Sequence, residues 1–85
     1  MHGLRSWESF VRIVETGSMA AAARRLDCTR AQISKQVADL EREFGVRLFE
    51  RSTRTVCLTP EGELFLQQAR GVISAVGEAE ATARK

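Results

Sequence analysis

Apolar residues recur at helical spacing along most of this 85-residue sequence, and short polar or glycine-containing breaks divide them into segments. The first segment, residues 4–15, predicts a helix because its apolar residues fall on one stripe at intervals of three and four. That stripe consists of Leu4, Trp7, Phe10, Val11 and Val14. Ser6 is a candidate N-cap for this helix. Aromatic residues at this spacing are far more typical of a core than of a binding surface.

Gly17 and Ser18 predict the boundary between the first helix and the next. Glycine suits the position just after a helix, and serine is a good N-cap. Unpaired backbone N–H groups at a helix start also attract anions, so this end could hold a phosphate. The alternative is that Ser18 serves only as a cap.

Residues 19–44 predict two helices joined by a tight turn. The apolar positions of the short first helix are Met19, Ala22, Ala23 and Leu26. Asp27-Cys28 interrupts the pattern, and Thr29, followed three residues later by Gln32, predicts a capping box at the start of a helix over residues 30–44. The apolar stripe of this second helix consists of Ile33, Val37, Leu40 and Phe44.

The opposite face of the second helix carries small and polar residues. Its members are Ala31, Lys35, Ala38 and Arg42, flanked by Arg30 and Ser34. Small side chains, hydroxyls and cations at the start of a helix suit insertion into the major groove of DNA. The sequence therefore predicts a helix-turn-helix with residues 30–44 as the recognition helix.

After Gly45 the pattern changes from helical spacing to alternation. Residues 46–51 and 56–58 predict two short strands joined by a turn. In the second strand the inward residues are predicted to be Val56 and Leu58, and the outward residues Thr55, Cys57 and Thr59. A hairpin beside a helix-turn-helix is typical of a wing, here residues 51–55, with Arg51 and Arg54 facing DNA and Arg54 in the minor groove. The alternative is that both arginines are merely solvated.

Thr59 and Pro60 predict the start of a last, long helix. Its heptad-like seam consists of Phe65, Ala69, Val72, Val76, Ala79 and Ala83. The off-seam residues expected to pack on the body are Leu64, Leu66 and Ile73. Because this helix is longer than the body can cover, we expect a homodimer in which its far half pairs with the same helix of a second subunit. A frayed tail is the alternative, since alanine-rich seams pack weakly.

These elements predict two parts: a winged helix-turn-helix DNA-binding domain, residues 1–58, and a linker or dimerisation helix, residues 59–85. The fold class is mainly α, with a three-helix body and a short β-hairpin wing. A composition of 44% hydrophobic and 28% charged residues is ordinary for a globular domain. The apolar runs are too short to cross a bilayer and no leader pattern is present, so we expect no membrane partner.

The charge distribution agrees with the position of the proposed DNA-binding unit. The net charge of the chain is +2. Residues 24–54 contain eight Arg/Lys and five Asp/Glu, whereas residues 55–85 contain three and four. The positive excess therefore lies on the helix-turn-helix and its wing.

The candidate chemistry excludes other classes. Cys28 and Cys57 are not in a CxxC pattern and the single histidine, His2, lies at the start, so no metal site is predicted. We expect Cys28 in an apolar position of the turn and Cys57 facing outward, and two unpaired thiols suit a reducing cytoplasm. A redox role for Cys57 stays open. No nucleophile with a base and no carboxylate pair shares a face, so we expect no catalytic residue and no enzyme.

A series of residues in register runs through all these elements. They are Phe10-Val11, Val14, Gly17-Ser18, Ala22-Ala23, Leu26, Ser34-Lys35-Gln36-Val37, Leu40-Glu41, residues 45–51, Leu58-Thr59 and Gly62. With them the sequence resembles the N-terminal domain of LysR-type transcriptional regulators over essentially its whole length. The resemblance implies a bacterial winged helix-turn-helix that dimerises through the linker helix and binds an interrupted inverted repeat in double-stranded DNA. It also implies a longer protein with a separate C-terminal effector-binding domain, for which a small-molecule inducer is expected, and it is compatible with contact between that longer protein and RNA polymerase.

Matching positions carry the functional residues of that family onto this sequence. The base-reading positions fall on Arg30, Ala31, Ser34 and Lys35. The phosphate-contacting positions fall on Ser18, Thr29, Gln36 and the wing residue Arg51, with Arg54 as the second wing arginine.

Three departures from the family pattern affect this assignment. Family members often have Gln-Pro where Arg30-Ala31 stands, and arginine pairs with guanine where glutamine suits adenine. Lys35 replaces a frequent arginine and supplies a point charge instead of a bidentate fork. Ala20 stands where a polar residue often contacts phosphate, so no contact is expected there.

A second interpretation, from another class, is a winged helix that docks a protein without reading DNA. The cations Arg30, Lys35 and Arg54 argue against it, because protein-docking surfaces usually carry aromatic or apolar anchors. We therefore expect a cytoplasmic bacterial DNA-binding protein whose partners are double-stranded DNA and a second copy of the chain. No cofactor is expected in the chain itself.

Overall fold

A computed structural model describes residues 3–51 and 55–84. Within them the chain forms four helices, α1 (Leu4–Thr16), α2 (Met19–Arg25), α3 (Arg30–Phe44) and α4 (Pro60–Ala83). Helix α1 lies at the centre, packed against the other three, and α2 also packs on α3. This confirms the predicted mainly helical fold. Each of these helices is too short or too polar to cross a membrane.

Local signals place the boundaries of α1 and α2 almost where the sequence predicts. Gly17 ends α1 in the left-handed conformation (φ 83°), and its N–H donates to the carbonyl of Ile13 at 2.8 Å. Ser18 Oγ caps α2 by accepting from the N–H of Ala21 at 3.0 Å. The prediction of Ser6 as the cap of α1 is wrong: Gly3 is the N-cap, and Ser6 lies inside the first turn with its side chain buried.

The core consists mainly of the predicted apolar stripes of α1 and α3. Phe10 and Val11 are buried from α1, and the buried apolar residues of α3 are Ile33, Val37 and Leu40. Ile13, which has no exposed surface, was not on the predicted stripe. Because three helices surround α1, its buried face is wider than the single stripe of a surface helix.

All five aromatic residues form one connected cluster centred on Phe65 of α4. The ring of Phe65 lies 4.9 Å from Trp7, 5.4 Å from Phe10 and 5.8 Å from Phe44, measured between centroids. Phe49 joins through Phe10 at 5.3 Å. Phe44, predicted to belong to the buried stripe of α3, is the last residue of that helix and is only partly buried, with 46% of its surface exposed. The cluster connects α1, α3, α4 and the segment that follows α3.

The first half of α4 belongs to the core of its own chain. Leu66 and Ala69 are buried, and Ile73 packs against the core. Ala69 has no exposed surface, so it cannot contact a second subunit as predicted. Phe65 packs against the core but stays partly exposed, and its place in a seam between subunits stays a prediction. Leu64, expected to pack on the body, is 67% exposed.

The second half of α4 extends away from the body. From residue 74 to residue 84 every residue except Val76 is exposed. This extension gives the molecule its elongated dimensions of 46 × 25 × 21 Å.

Residues 46–51 and 55–59 form the base of the predicted wing. In the part of the chain that the structure describes, its pairing is one antiparallel bridge between Phe49 and Leu58, supported by the N–H of Glu50 donating to the carbonyl of Cys57 at 2.8 Å. The two predicted strands are not confirmed. Cys57 is exposed, as expected. Arg54 and the rest of the turn tip lie outside the described residues.

Thr59 is buried, which corrects its predicted outward position. Its hydroxyl donates to the carbonyl of Arg47 and accepts from the N–H of Gly62 at 2.9 Å, so it caps α4 as the sequence predicts. Gly62 allows this end of α4 to approach the preceding segment closely. A Cβ at residue 62 would lie 2.2 Å from the carbonyl oxygen of Leu48.

We expect Gly62→Ala to lower the free energy of unfolding by about 1–3 kcal/mol, as overpacking does, although alanine is the better helix former. Gly71→Ala is the matched control, because an added Cβ there meets nothing within 4 Å in the same helix. The control should gain about 0.5–1 kcal/mol. Urea denaturation followed by circular dichroism measures both variants, and equal effects at the two positions would contradict the close approach.

Candidate nucleic-acid interface

Helix α3 begins with the predicted capping box. Thr29 Oγ1 accepts from the N–H of Gln32 at 3.1 Å, and Gln32 Oε1 accepts from the N–H of Thr29 at 2.8 Å. The box satisfies two backbone donors that would otherwise lack partners at the helix start. It therefore fixes the backbone from which the following residues project.

The four residues predicted to read bases all lie on the exposed surface of the first two turns of α3. They are Arg30, Ala31, Ser34 and Lys35. On its core side the same helix is held by fully or almost fully buried residues, Ile33, Val37 and Leu40. The exposed surface is thus presented by a helix that is capped at its start and anchored along its length.

Arg30 shares a cleft with the start of α2 and the base of the wing. The cleft has a volume of about 510 Å³, and its walls include Ser18, Ala20, Arg30, Glu50 and Arg51. Three residues predicted to contact DNA, Ser18, Arg30 and Arg51, therefore come together from distant parts of the sequence. Of these, Ser18 and Arg51 carry donors that suit a sugar-phosphate strand, and Arg30 lies beside them at the start of the recognition helix.

Three of the predicted phosphate contacts are oriented by hydrogen bonds within the chain. The oxygens of Ser18 and Thr29 accept capping bonds, and Gln36 Oε1 accepts from the hydroxyl of the fully buried Ser9. In each case the acceptor oxygen is used, whereas a phosphate requires donors. The hydroxyl protons and the side-chain amide of Gln36 can therefore still serve a phosphate.

Glu41 connects the recognition helix to the base of the wing. Its Oε2 accepts from the N–H of Leu48 at 2.8 Å and of Phe49 at 3.4 Å, and its Oε1 pairs with the guanidinium of Arg51. The Glu41 side chain is 10% exposed. The sequence analysis did not predict this role for Glu41. The only signal for it was that Leu40-Glu41 is among the residues that match the family.

Asp39 carries two ion pairs on the exposed side of α3. Its Oδ2 lies 2.9 Å from Lys35 Nζ, and its Oδ1 lies 2.8 Å from Arg42 Nη1. The Asp39 side chain is 12% exposed, whereas those of Lys35 and Arg42 are 76% and 72% exposed. The hydrogen bonds from Lys35 and then Arg42 lower the pKa of Asp39 below its ordinary value, so the carboxylate stays ionised at neutral pH.

Within the described residues, no three His, Cys, Asp or Glu side chains are grouped so as to hold a metal ion. Cys28, which packs against the core as expected, and Cys57 are both free thiols.

The fold and this surface define a helix-turn-helix protein. A family model described as "Bacterial regulatory helix-turn-helix protein, lysR family" matches residues 4–63. The chain therefore belongs to the lysR family of bacterial regulatory helix-turn-helix proteins.

Curated relatives from several bacteria agree with this assignment. The chain is 45% identical over 69 residues to the HTH-type transcriptional regulator TfdS of Cupriavidus pinatubonensis, covering 81% of this chain and 23% of the relative. It is 37% identical over 84 residues to an HTH-type transcriptional repressor of Pseudomonas aeruginosa, covering 99% of this chain and 26% of the relative. The chain thus spans about a quarter of the length of these relatives.

Solved structures share the whole fold. The BenM DBD in complex with catB site 1 DNA superposes with a TM-score of 0.91 at 36% identity, covering 98% of this chain and 92% of that one. The CbnR DBD–DNA complex gives 0.87 at 37% identity, covering 98% and 95%. A full-length OxyR variant from Pseudomonas aeruginosa gives 0.93 at 31% identity, covering 99% of this chain and 28% of that one.

We expect Glu41→Ala to lower the free energy of unfolding by about 1–3 kcal/mol, because it leaves the buried N–H of Leu48 without an acceptor. Glu78→Ala, at an exposed position on the extended half of α4, is the control and should change it by less than about 0.5 kcal/mol. Chemical denaturation measures both. A similar, small loss in the two variants would show that the link between Glu41 and Leu48 contributes little.

The lowered pKa of Asp39 predicts a specific acid sensitivity. A depressed carboxyl pKa adds stability above the pKa of the unfolded chain, and this stability is lost as the pH falls through the folded value. The difference in free energy of unfolding between the wild type and Asp39→Asn should therefore shrink as the pH is lowered from neutral to below about 4. Urea denaturation at a series of pH values tests this, and a constant difference would contradict it.

Proposed function

We propose that this chain is the DNA-binding part of a bacterial LysR-type transcription regulator and recognises a specific sequence in double-stranded DNA. The observation that carries the proposal is the exposed surface at the start of α3, where Arg30, Ala31, Ser34 and Lys35 project from a capped and core-anchored helix. The similarity to the DNA complexes of the BenM DBD and the CbnR DBD, over nearly the whole chain, supports it.

In this proposal the start of α3 enters the major groove and selects the sequence. Arg30 can bind guanine O6 and N7 with two hydrogen bonds. Lys35 supplies a single ammonium group, which discriminates less by geometry. Ala31 and Ser34 are small enough to let the helix approach the base edges closely.

Phosphate contacts supply affinity and orientation. We assign them to Ser18, Thr29, Gln36 and Arg51, and the cleft that joins Ser18, Arg30 and Arg51 supports this assignment. Glu41 holds the base of the wing, and with it Arg51, against the recognition helix. The minor-groove contact of Arg54 stays a prediction from the sequence.

We further propose a homodimer through the extended half of α4. Val72, Val76 and Ala79 remain as its candidate apolar contacts, together with Ala83. Such a dimer places two recognition helices on one duplex and suits an interrupted inverted repeat. The division into a DNA-binding domain, residues 1–58, and a linker helix, residues 59–85, belongs to this proposal.

The rest of the regulator is proposed from its relatives. The chain covers about a quarter of the TfdS and full-length OxyR chains. We propose that it likewise works within a longer, cytoplasmic, non-enzymatic regulator whose C-terminal domain binds a small-molecule inducer and which contacts RNA polymerase.

Selection of bound duplexes from a random DNA library tests the proposal. We expect recovery of an inverted repeat, which requires both sequence reading and a two-fold dimer. Recovery of single half-sites would remove the dimer from the proposal. An absence of binding would favour a module that docks proteins.

We expect Arg30→Ala to weaken binding to the selected sequence by about 1–3 kcal/mol and to relax the preference at one base pair. Parallel selections with the wild type and the variant locate that base pair, which should be G·C. Gln67→Ala is the control, since Gln67 is exposed on the body-packed half of α4, and it should leave the preference unchanged. Uniform weakening across all positions would assign Arg30 to the phosphate backbone instead.

A further inference from the structure

Asp39 places a negative charge on the helix that is proposed to face DNA. DNA phosphates repel a carboxylate, so an acidic residue beside the recognition surface opposes binding unless its charge has another use. Every other charged residue between the start of α3 and Asp39 is a cation, namely Arg30 and Lys35. This position therefore requires a physical explanation.

The contacts of Asp39 supply one. Its two carboxylate oxygens are engaged by two different cations, Lys35 one turn before it and Arg42 one turn after it. The Asp39 side chain is 12% exposed, whereas those of both cations are more than two-thirds exposed. If either cation moves to contact a phosphate, it must therefore break its hydrogen-bonded ion pair with Asp39, which is 2.9 Å long for Lys35 and 2.8 Å for Arg42.

The direction of these pairs also matters. Successive residues of a helix are rotated by about 100°, so Lys35 and Arg42 lie near the middle of the exposed face and Asp39 on one of its sides. Asp39 also lies one turn further along the helix than Lys35, so the pair draws Lys35 Nζ away from the start of α3. It uses one of the three ammonium donors and leaves two.

We propose that Asp39 is a specificity-determining residue that acts by holding Lys35 and Arg42. On unrelated DNA it keeps both cations from the phosphates and so weakens non-specific binding. On the correct sequence the pair is retained, and the two remaining donors of Lys35 are held towards a base. This inference rests on the proposed function, because it assumes that α3 enters the major groove.

The test compares two affinities for the wild type and Asp39→Asn. One duplex is the sequence selected by the wild type and the other is a random duplex of equal length, each titrated over a range of salt concentrations. We expect the variant to bind the random duplex about 3- to 10-fold more tightly at moderate salt, with a salt dependence steeper by about one phosphate contact. The ratio of the two affinities should fall by a similar factor.

Two controls separate this role from a change in net charge and from a direct repulsion between Asp39 and DNA. Glu15→Gln removes the same charge and breaks the 2.9 Å pair with Arg12 on α1, and it should leave the affinity ratio unchanged. In a Lys35→Gln, Arg42→Gln background, Asp39→Asn should change non-specific binding by less than about 2-fold, because no held cation remains to be released. Asp39→Ala repeats the test with a residue that favours the helix, so that a loss of helix stability does not account for the result.

Several outcomes would overturn the inference. One is that Asp39→Asn weakens binding to the selected duplex through a single base pair and leaves the affinity for random DNA unchanged. Asp39 would then read cytosine directly. A second is a Glu15→Gln variant whose affinity ratio falls as much as that of Asp39→Asn. A third is an Asp39→Asn change that tightens binding to random DNA as much in the Lys35→Gln, Arg42→Gln background as in the wild type. If the wild type itself does not prefer its selected duplex, the proposed function fails, and the inference fails with it.

Discussion

The contacts of the Phe65 ring join three of the four helices in the described part of this small protein. One aromatic side chain of α4 touches Trp7 and Phe10 of α1 and Phe44 at the end of α3. Buried aromatic rings contribute more apolar area than any other side chains, and a chain of this size has few alternatives. The cluster therefore sets the position of α3 relative to the body and the direction in which α4 leaves it. The proposed DNA surface and the proposed dimer helix both depend on this one set of contacts.

Polar side chains then fix the two ends of α3, which the aromatic cluster places against the body. The capping box at Thr29 fixes the start of α3, and Glu41 attaches the segment after α3 to the helix through two backbone N–H groups and Arg51. Both use side chains to satisfy backbone groups that regular secondary structure leaves unpaired. The recognition surface and the base of the wing thus form one continuous unit, although hardly any β-pairing connects the described residues of the wing.

Most of the helix boundaries that a local rule decides were predicted correctly, although Ser6 was not the cap of α1. The capping box, the end of α1 at Gly17 and the start of α4 at Thr59 each depend on residues a few positions apart. Prediction from the sequence failed where a distant contact decides. The spacing of Phe65 and Ala69 suits packing on a second subunit and on the chain's own body equally, and only the tertiary structure distinguishes the two. Glu41 looked like one of many surface acids, because its partners lie seven to ten residues further along the chain.

Helix α4 is one continuous helix, but only its first half packs against the rest of the chain. Its first half lies in the core, whereas Gly71 and Gly77 have open space around them, and the residues beyond contact little of their own chain. Each glycine weakens a helix by about 1 kcal/mol relative to alanine, and no packing compensates for it here. In an isolated subunit we therefore expect amide protons near Leu66 to be much better protected from exchange with solvent than those beyond residue 77, where the helix end frays locally. One helix would thus contain two regions of different protection, and the proposed pairing with a second copy would reduce the difference.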